Sequence, residues 1–411
     1  MPDSSASPQR AAAVTSEERT VRDLLGRARA LRPELIARQA ETEKRTYYAP
    51  ETHEAFTEAG FYRILVPRRH GGLELGPGVF LRVVTELARG CPSTGWMYCL
   101  GAAHALIAAS LFEERAQDEI FADGDFIAPL AIAVGGTAEP AAAGGWTVRG
   151  QWKYCSGSPY ATHFLAHALV QASPEGPPAP MLFCLPRAGW RRLDDWGNQL
   201  GLNGSGSHTI VVEDAHVPAH LALPGTHVSQ TSVADGTPGA ALHGNADYAG
   251  GPLSFMNLEI AALAVGMAQG ALDTYEQSLQ ERREPVPPGR PCTENADYQL
   301  WYGEAAGLIA TADAALRGAV DQWSAICRSP ESFTREQDLR LSCVCRHVIA
   351  LCHKAVETFL FPTAGSSATG QGRRLERIWR DMSALHSHGG ISVLLPTVAV
   401  REYARTRFGV R

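Results

Sequence analysis

Two histidines stand one residue apart at the end of RLERIWRDMSALHSHGG, residues 374–390. An imidazole titrates near neutrality, so a histidine placed against a bound molecule is suited to taking up a proton. Side chains two apart on a helix point in different directions, so His386 and His388 cannot grip one metal ion from one face. The plainer account is a helix C-terminus whose dipole favours histidine and whose cap is Gly389–Gly390. Two serine clusters offer another kind of chemistry. In WKYCSGSPY, Ser156 and Ser158 flank Gly157 at the end of an aromatic strand, and in GLNGSGSHT, Ser205 and Ser207 alternate with glycine. Either pattern describes a turn, or a place where hydroxyls and bare backbone approach a flat ligand. In CVCRHVIALCHK, Cys343 and His347 share a helix face while Cys345 points elsewhere. Buried thiols in a helix account for that pattern, and no metal site is expected.

These groups need elements to hold them. Leu375, Ile378, Met382 and Leu385 recur at helical spacing and define the buried stripe beneath the histidines. Arg377 and Asp381, four apart, are expected to pair on the surface of that helix. Around it the chain divides into three regions after a small, polar tail, residues 1–18, expected to be disordered. Residues 19–124 read as helical: Thr15 and Glu18 form a capping box, and Val21, Leu24, Leu25, Ala28 and Leu31 follow at helical spacing. A later helix closes at Gly90, and another starts near Ser93. Residues 125–224 change period. WTVRGQW, HFLAHALVQA, PMLFCLPRAG and HTIVVEDAHVP read as short strands with no helices between them, which predicts an antiparallel barrel. Residues 225–411 open with a loop to about 252 and continue as long helices over 253–283, 296–328, 334–360 and 371–388, a four-helix bundle. The fold class is α+β, mainly α.

The 411 residues carry a net charge of −6, with no basic stripe for nucleic acid and no apolar run expected to span a membrane. Nine cysteines without regular spacing fit a reducing, cytoplasmic setting. No G-x-G-x-x-G follows a strand, and neither a Walker A loop nor a G-x-S-x-G elbow is present, so the chain has no visible nucleotide loop or hydrolase nucleophile.

Six segments in order resemble one family: FYRILVPRRHGG, TELARGCPSTGWM, WTVRGQWKYCSGS, WGNQLGLNGSGSHTIVVEDAHVP, AGSSA and RIWRDMSALHSH. They are similar to the two-component flavin-dependent monooxygenases of the acyl-CoA dehydrogenase fold, among them the oxygenase components that hydroxylate hydroxyphenylacetate and phenolic steroids. The resemblance runs from about residue 20 to the C-terminus. It implies that Ser156 contacts the flavin ring and the substrate oxygen, and that Trp96, Tyr154, Ser158 and Ser207 help line the flavin site. Gly365, Ser366 and Ser367 match a loop that meets the flavin phosphate, often across a subunit boundary. His388, eight residues after Arg380, matches a histidine that acts as base towards a phenol.

The implied cofactor is reduced FMN or FAD, dissociable and supplied by a separate NAD(P)H-dependent reductase. Oxygen would convert it to a C4a-hydroperoxide, protected from water in an apolar pocket, that hydroxylates an aromatic small molecule. A homotetramer is also implied. Departures from the family pattern bear on the substrate. No histidine precedes AVGGTAEP where some hydroxylases place a second one, and the C-terminal tail lacks an Asn-Asp-Pro. The Tyr-Glu-Gly-Thr glutamate of thioester dehydrogenases is replaced by SSATGQG, with Glu376 nearby only as part of a charged helix. Rival expectations are nitrogen or sulfur oxidation by a nitrososynthase-like relative, and an acyl-CoA dehydrogenase-type flavoprotein.

Overall fold

The computed structural model describes residues 15–171 and 177–410. The expected tail therefore lies outside the described residues as far as residue 14, and its last residues are helical. Thr15 Oγ accepts from the Glu18 N–H at 3.1 Å, and the Glu18 carboxylate accepts from the Thr15 N–H at 2.7 Å. This capping box starts α1 (Ser16–Ala37) at Ser16, and the expected boundary at 18/19 falls inside that helix.

The helical first region continues through α2 (Gln39–Arg45), α3 (Pro50–Glu58), α4 (Gly76–Gly90), α5 (Pro92–Ala102), α6 (His104–Leu111) and α7 (Glu114–Ile120). Proline at the start of α5 leaves no N–H to satisfy there, which lets a new helix begin two residues after α4 ends. Almost every residue of α5 and α6 is buried. The span Pro92–Leu111 is apolar and long enough to cross a bilayer by composition, yet 89% of its apolar window is inside the fold. Its hydrophobicity serves the core.

Strands β1 (Leu130–Pro140), β2 (Trp146–Trp152), β3 (His163–Val170), β4 (Ala179–Pro186), β5 (Arg191–Arg192), β6 (Ile210–Val217) and β7 (Ala222–Pro224) form a sheet of order β5-β6-β2-β1-β3-β4-β7. This corrects the antiparallel barrel expected from sequence. β1 and β3 run parallel, from Leu130 opposite Leu165 to Ala138 opposite Val170, and among the described residues the edge strands β5 and β7 do not pair to close the sheet. β1 carries no clear alternation, because Gly135 and Gly136 lie under the Trp152 indole. A Cβ on Gly135 would stand 2.5 Å from Trp152 Cδ1, and one on Gly136 would stand 2.7 Å from Trp152 Cη2. Close packing thus put two glycines in mid-strand, interrupting the β-branched Ile132, Val134 and Thr137.

Between 225 and 252 the expected loop contains a short helix, α8 (Pro238–His243). Four long elements then pack together: α9 (Pro252–Glu281), α10 (Ala296–Cys327), α11 (Arg335–Lys354) with wider turns over Ala355–Leu360, and, after the short α12 (Phe361–Thr363) and α13 (Ser366–Thr369), α14 (Arg374–Ser387). Cys345 and Cys352 are buried on α11 within this bundle.

Leu375, Ile378, Met382 and Leu385 are buried on α14 as expected, but Asp381 is buried with them. The expected Arg377–Asp381 surface pair does not form; Arg377 Nε meets Glu43 at 2.9 Å instead, and Arg380 bridges Glu43 and Glu376 at 2.6 Å each. Nor is Gly389–Gly390 a glycine cap. The break comes at His388, with ψ of 133°, and the chain resumes wide helical turns over Gly390–Val400 before α15 (Arg401–Arg407).

Candidate active site

A cavity of about 1280 Å³ opens between the sheet, α5, α9 and the segment after α14. Six of the candidate ligand-contacting residues singled out from sequence line it: Trp96, Tyr154, Ser156, Ser205, Ser207 and His388.

The serines are brought together by a close approach of backbones. Beyond β2 the chain turns through Gly157 at φ 90°, and a Cβ there would stand 3.1 Å from Gly101 Cα on α5. Only glycine combines that dihedral with that contact. The turn sets Ser156 Oγ 3.0 Å from Trp96 Nε1 and 2.7 Å from Ser207 Oγ, which in turn lies 2.6 Å from Ser205 Oγ. The indole N–H can only donate, so Ser156 accepts from Trp96. Ser205 is wholly enclosed and has no other side-chain acceptor among the described residues. Its hydroxyl therefore donates to Ser207, Ser207 donates to Ser156, and the Ser156 hydrogen is left to point at a ligand.

Asp381 supports this wall from beneath. Its Oδ1 accepts from the Leu202 N–H at 2.5 Å and its Oδ2 from Ser93 Oγ at 3.2 Å, tying α14 to the 201–207 loop and to the start of α5. Burial pushes its carboxyl up to about 7, although the Leu202 N–H and Arg380 pull the other way.

His388 faces the same space, edge-on to Trp96 with ring centroids 5.5 Å apart. Its ring carries accessible area because it opens into the cavity, yet surrounding protein desolvates it and holds its pKa below the usual imidazole value. The Gly390 N–H lies 3.2 Å from Nδ1. A backbone amide can only donate, so Nδ1 is the acceptor and Nε2 carries the hydrogen of the neutral ring. His386 takes a separate path, stacking on His353 at 3.9 Å outside the cavity lining.

The remaining expected residues lie elsewhere. Ser158 is buried but donates to the Gly206 carbonyl at 2.9 Å, holding two loops together without lining the cavity. Gly365, Ser366 and Ser367 precede and begin α13 and do not reach the cavity within one chain. Conversely, sequence reading missed His104, Glu259 and the segment after His388. The cavity does have a second histidine, but on α6, well upstream of AVGGTAEP. His104 Nδ1 meets the Ala128 carbonyl at 2.7 Å, and burial lowers its pKa to about 4, so a neutral ring presents its Nε2 lone pair. Its neighbours on α6 are apolar, so nothing local distinguishes it from a core histidine. Ile391, Leu395 and Val398 close the cavity from the C-terminal segment, whose Pro396 and β-branched residues disguise its helical turns.

The volume exceeds the roughly 300–1,000 Å³ usual for one small ligand. Trp96, Trp196, Leu130 and Ile132 supply flat or apolar wall, and the Ser156 hydroxyl supplies a polar point at its edge. That combination fits the tricyclic ring of a flavin together with a second, apolar molecule.

Comparisons with known proteins identify relatives of the chain. Residues 15–119 match the acyl-CoA dehydrogenase N-terminal domain, and residues 258–393 match the acyl-CoA dehydrogenase C-terminal domain. The chain is 30% identical to the flavin-dependent monooxygenase oxygenase subunit HsaA of Rhodococcus jostii (strain RHA1), over 93% of this chain and 97% of that protein. It is 29% identical to the FADH(2)-dependent resorcinol hydroxylase oxygenase component of Rhizobium sp. (strain MTP-10005), over 86% of each. The crystal structure of a 3-HSA hydroxylase from Rhodococcus sp. RHA1 superposes with a TM-score of 0.85 at 29% identity, covering 95% of this chain and 97% of that one.

Proposed function

This chain belongs to the oxygenase subunits of flavin-dependent monooxygenases built on the acyl-CoA dehydrogenase fold, and from that premise we propose that it hydroxylates a phenolic or polycyclic aromatic molecule. Reduced FMN or FAD, delivered by a separate NAD(P)H-dependent reductase, would when bound supply the two electrons that activate O2, one oxygen atom entering the substrate and the other leaving as water. The name of the resorcinol hydroxylase supports the reduced flavin. The observation that carries the reading is the shared wall on which Trp96, Ser156, Ser207 and His388 meet around a cavity with room for two flat molecules.

The chain's own residues have distinct parts in this reading. The Ser205–Ser207–Ser156 relay leaves one hydroxyl hydrogen, with which Ser156 would hold an acceptor atom of the flavin. The apolar lining excludes water from the oxygenated site. His388 takes the phenolic proton, because an aromatic carbon accepts oxygen far more readily from a phenolate than from a phenol. Its depressed pKa keeps the ring neutral, and hence basic, at physiological pH. Accepting at Nε2 requires the ring hydrogen to move to Nδ1 and the Gly390 contact to open. Gly389, with nothing within 4 Å of where a Cβ would stand, gives the backbone room for that change.

In a homotetramer, Gly365–Ser367, which do not reach the cavity of their own chain, would hold the flavin phosphate of a second subunit. The proposed division of labour is α-helical residues 19–124, sheet residues 125–224 and bundle residues 225–411, with the cavity where the three meet.

The test is to mix anaerobic protein loaded with reduced FMN, or with reduced FAD, against oxygenated buffer and follow flavin absorbance. A persistent absorbance distinct from both reduced and oxidised flavin, together with hydroxylated product when a phenol is present, is the expected result. Protein that is isolated yellow with tightly held oxidised FAD, and that oxidises a CoA thioester, would overturn it.

A further inference from the structure

Glu259 is a carboxyl group without a partner on the wall of the cavity. It sits in the most apolar part of α9, is 1% exposed, and its Oε1 is buried with no hydrogen bond. Among the described residues its side chain forms no hydrogen bond or ion pair at all. Met256, three residues earlier on the same helix face, and Ile260, the next residue, also line the cavity. Across from it lies α5, whose Cys99 thiol, one turn beyond Trp96, is held up chiefly by burial. Nothing in the packing needs the group: an apolar side chain of the same size would suit this helix better.

We propose that Glu259 is a specificity-determining residue, and that it hydrogen-bonds an uncharged hydroxyl or carbonyl substituent of the aromatic substrate. The inference rests on the aromatic substrate of the preceding reading and adds the polar substituent that substrate must carry. Glu259 lines a cavity where Lys153 is the only Lys or Arg among the described lining residues, and no cation among them lies near enough to pair with it. Burial alone pushes its pKa well above the usual carboxylate range. It therefore stands as a neutral acid, with one O–H to donate and one carbonyl oxygen to accept. A buried polar group left unmatched is costly, so a ligand that supplies a hydroxyl or carbonyl is favoured over an apolar isostere of the same shape.

The experiment compares three phenols of similar size: p-hydroxyacetophenone with a carbonyl, p-ethylphenol with none, and tyramine with an ammonium. Each is titrated calorimetrically into anaerobic protein saturated with reduced FMN, for the wild type and for Glu259→Gln and Glu259→Leu. The wild type is expected to bind p-hydroxyacetophenone roughly tenfold more tightly than p-ethylphenol. Glu259→Gln, which keeps a donor and an acceptor, should retain most of that preference, and Glu259→Leu should abolish it. In infrared difference spectra, the band of a protonated carboxylic acid should be present in the wild type, absent from Glu259→Gln, and shifted when p-hydroxyacetophenone binds.

A wild type without preference for the carbonyl probe overturns the proposal, as does a folded Glu259→Leu variant that keeps the preference. A preference for tyramine that disappears in Glu259→Gln overturns it too, by showing an ionised carboxylate that selects a cation. Failure of the monooxygenase reading would appear separately, as absence of hydroxylated product from every phenol, with the binding preferences still measurable.

Discussion

At the scale of the residue, the site combines one spare hydroxyl hydrogen with an imidazole that can take a proton once its tautomer changes. Ser156 is fixed by its neighbours: Trp96 gives it a hydrogen bond, Ser207 gives another, and its own hydrogen is then free for a ligand. His388 offers the complementary function as a neutral ring. In Glu259 and His104 the cavity has two further polar groups held neutral by burial, one rich in a donor and the other in an acceptor. Replacing His388 by alanine should lower hydroxylation of a phenol by about 10²–10⁴-fold, the usual worth of a positioned general base. Binding of reduced flavin should change little, and a phenol supplied as its preformed phenolate at high pH should recover part of the rate. A His388→Ala enzyme with full activity at neutral pH would remove the base role.

At the scale of the element, α14 does more than end in a histidine. Its Asp381 reaches the 201–207 loop and α5, while Arg377 and Arg380 reach Glu43 on α2, so this helix sets the position of the serine relay and of His388 together. The raised pKa of Asp381, about 7 against 3.8 for an ordinary aspartate, has a consequence for stability. Between those values the folded chain holds a proton that the unfolded chain has lost. Its contribution is therefore fully present at low pH and declines as pH rises towards 7, beyond which it stays flat. Asp381→Asn preserves the acceptor for the Leu202 N–H and cannot ionise. Denaturant titrations of the variant from pH 5 to pH 8, the upper range of this window, should show a flatter stability profile than the wild type. Parallel profiles would mean that Asp381 is already ionised throughout the range.

At the scale of the whole molecule, the cavity lies where sheet, first helical region and bundle meet, so filling it joins parts that are distant in sequence. Reduced FMN or FAD at about a hundred times its dissociation constant should stabilise the anaerobic protein by about 2.7 kcal/mol, read as a rise in its unfolding midpoint. Oxidised flavin, bound less tightly by a subunit that receives its cofactor reduced, should raise it less; equal shifts would argue against a dissociable reduced cofactor.

The sequence by itself determined the periodic elements and the order of the motifs. The capping box at Thr15, the α4–α5 break, the stripe under α14 and the four long bundle helices follow from spacing and local chemistry that act within a few residues. The ordered segments likewise carried the family. The parallel pairing of β1 left no local sign, and its strand signal is broken by Gly135 and Gly136, whose presence answers a side chain packed against them from another strand. Burial of Asp381, the orphaned carboxyl of Glu259 and the neutral ring of His104 were equally hidden. Each is an ordinary residue in its own helix, and its protonation and purpose depend on which distant groups surround it, a matter that only the tertiary structure decided.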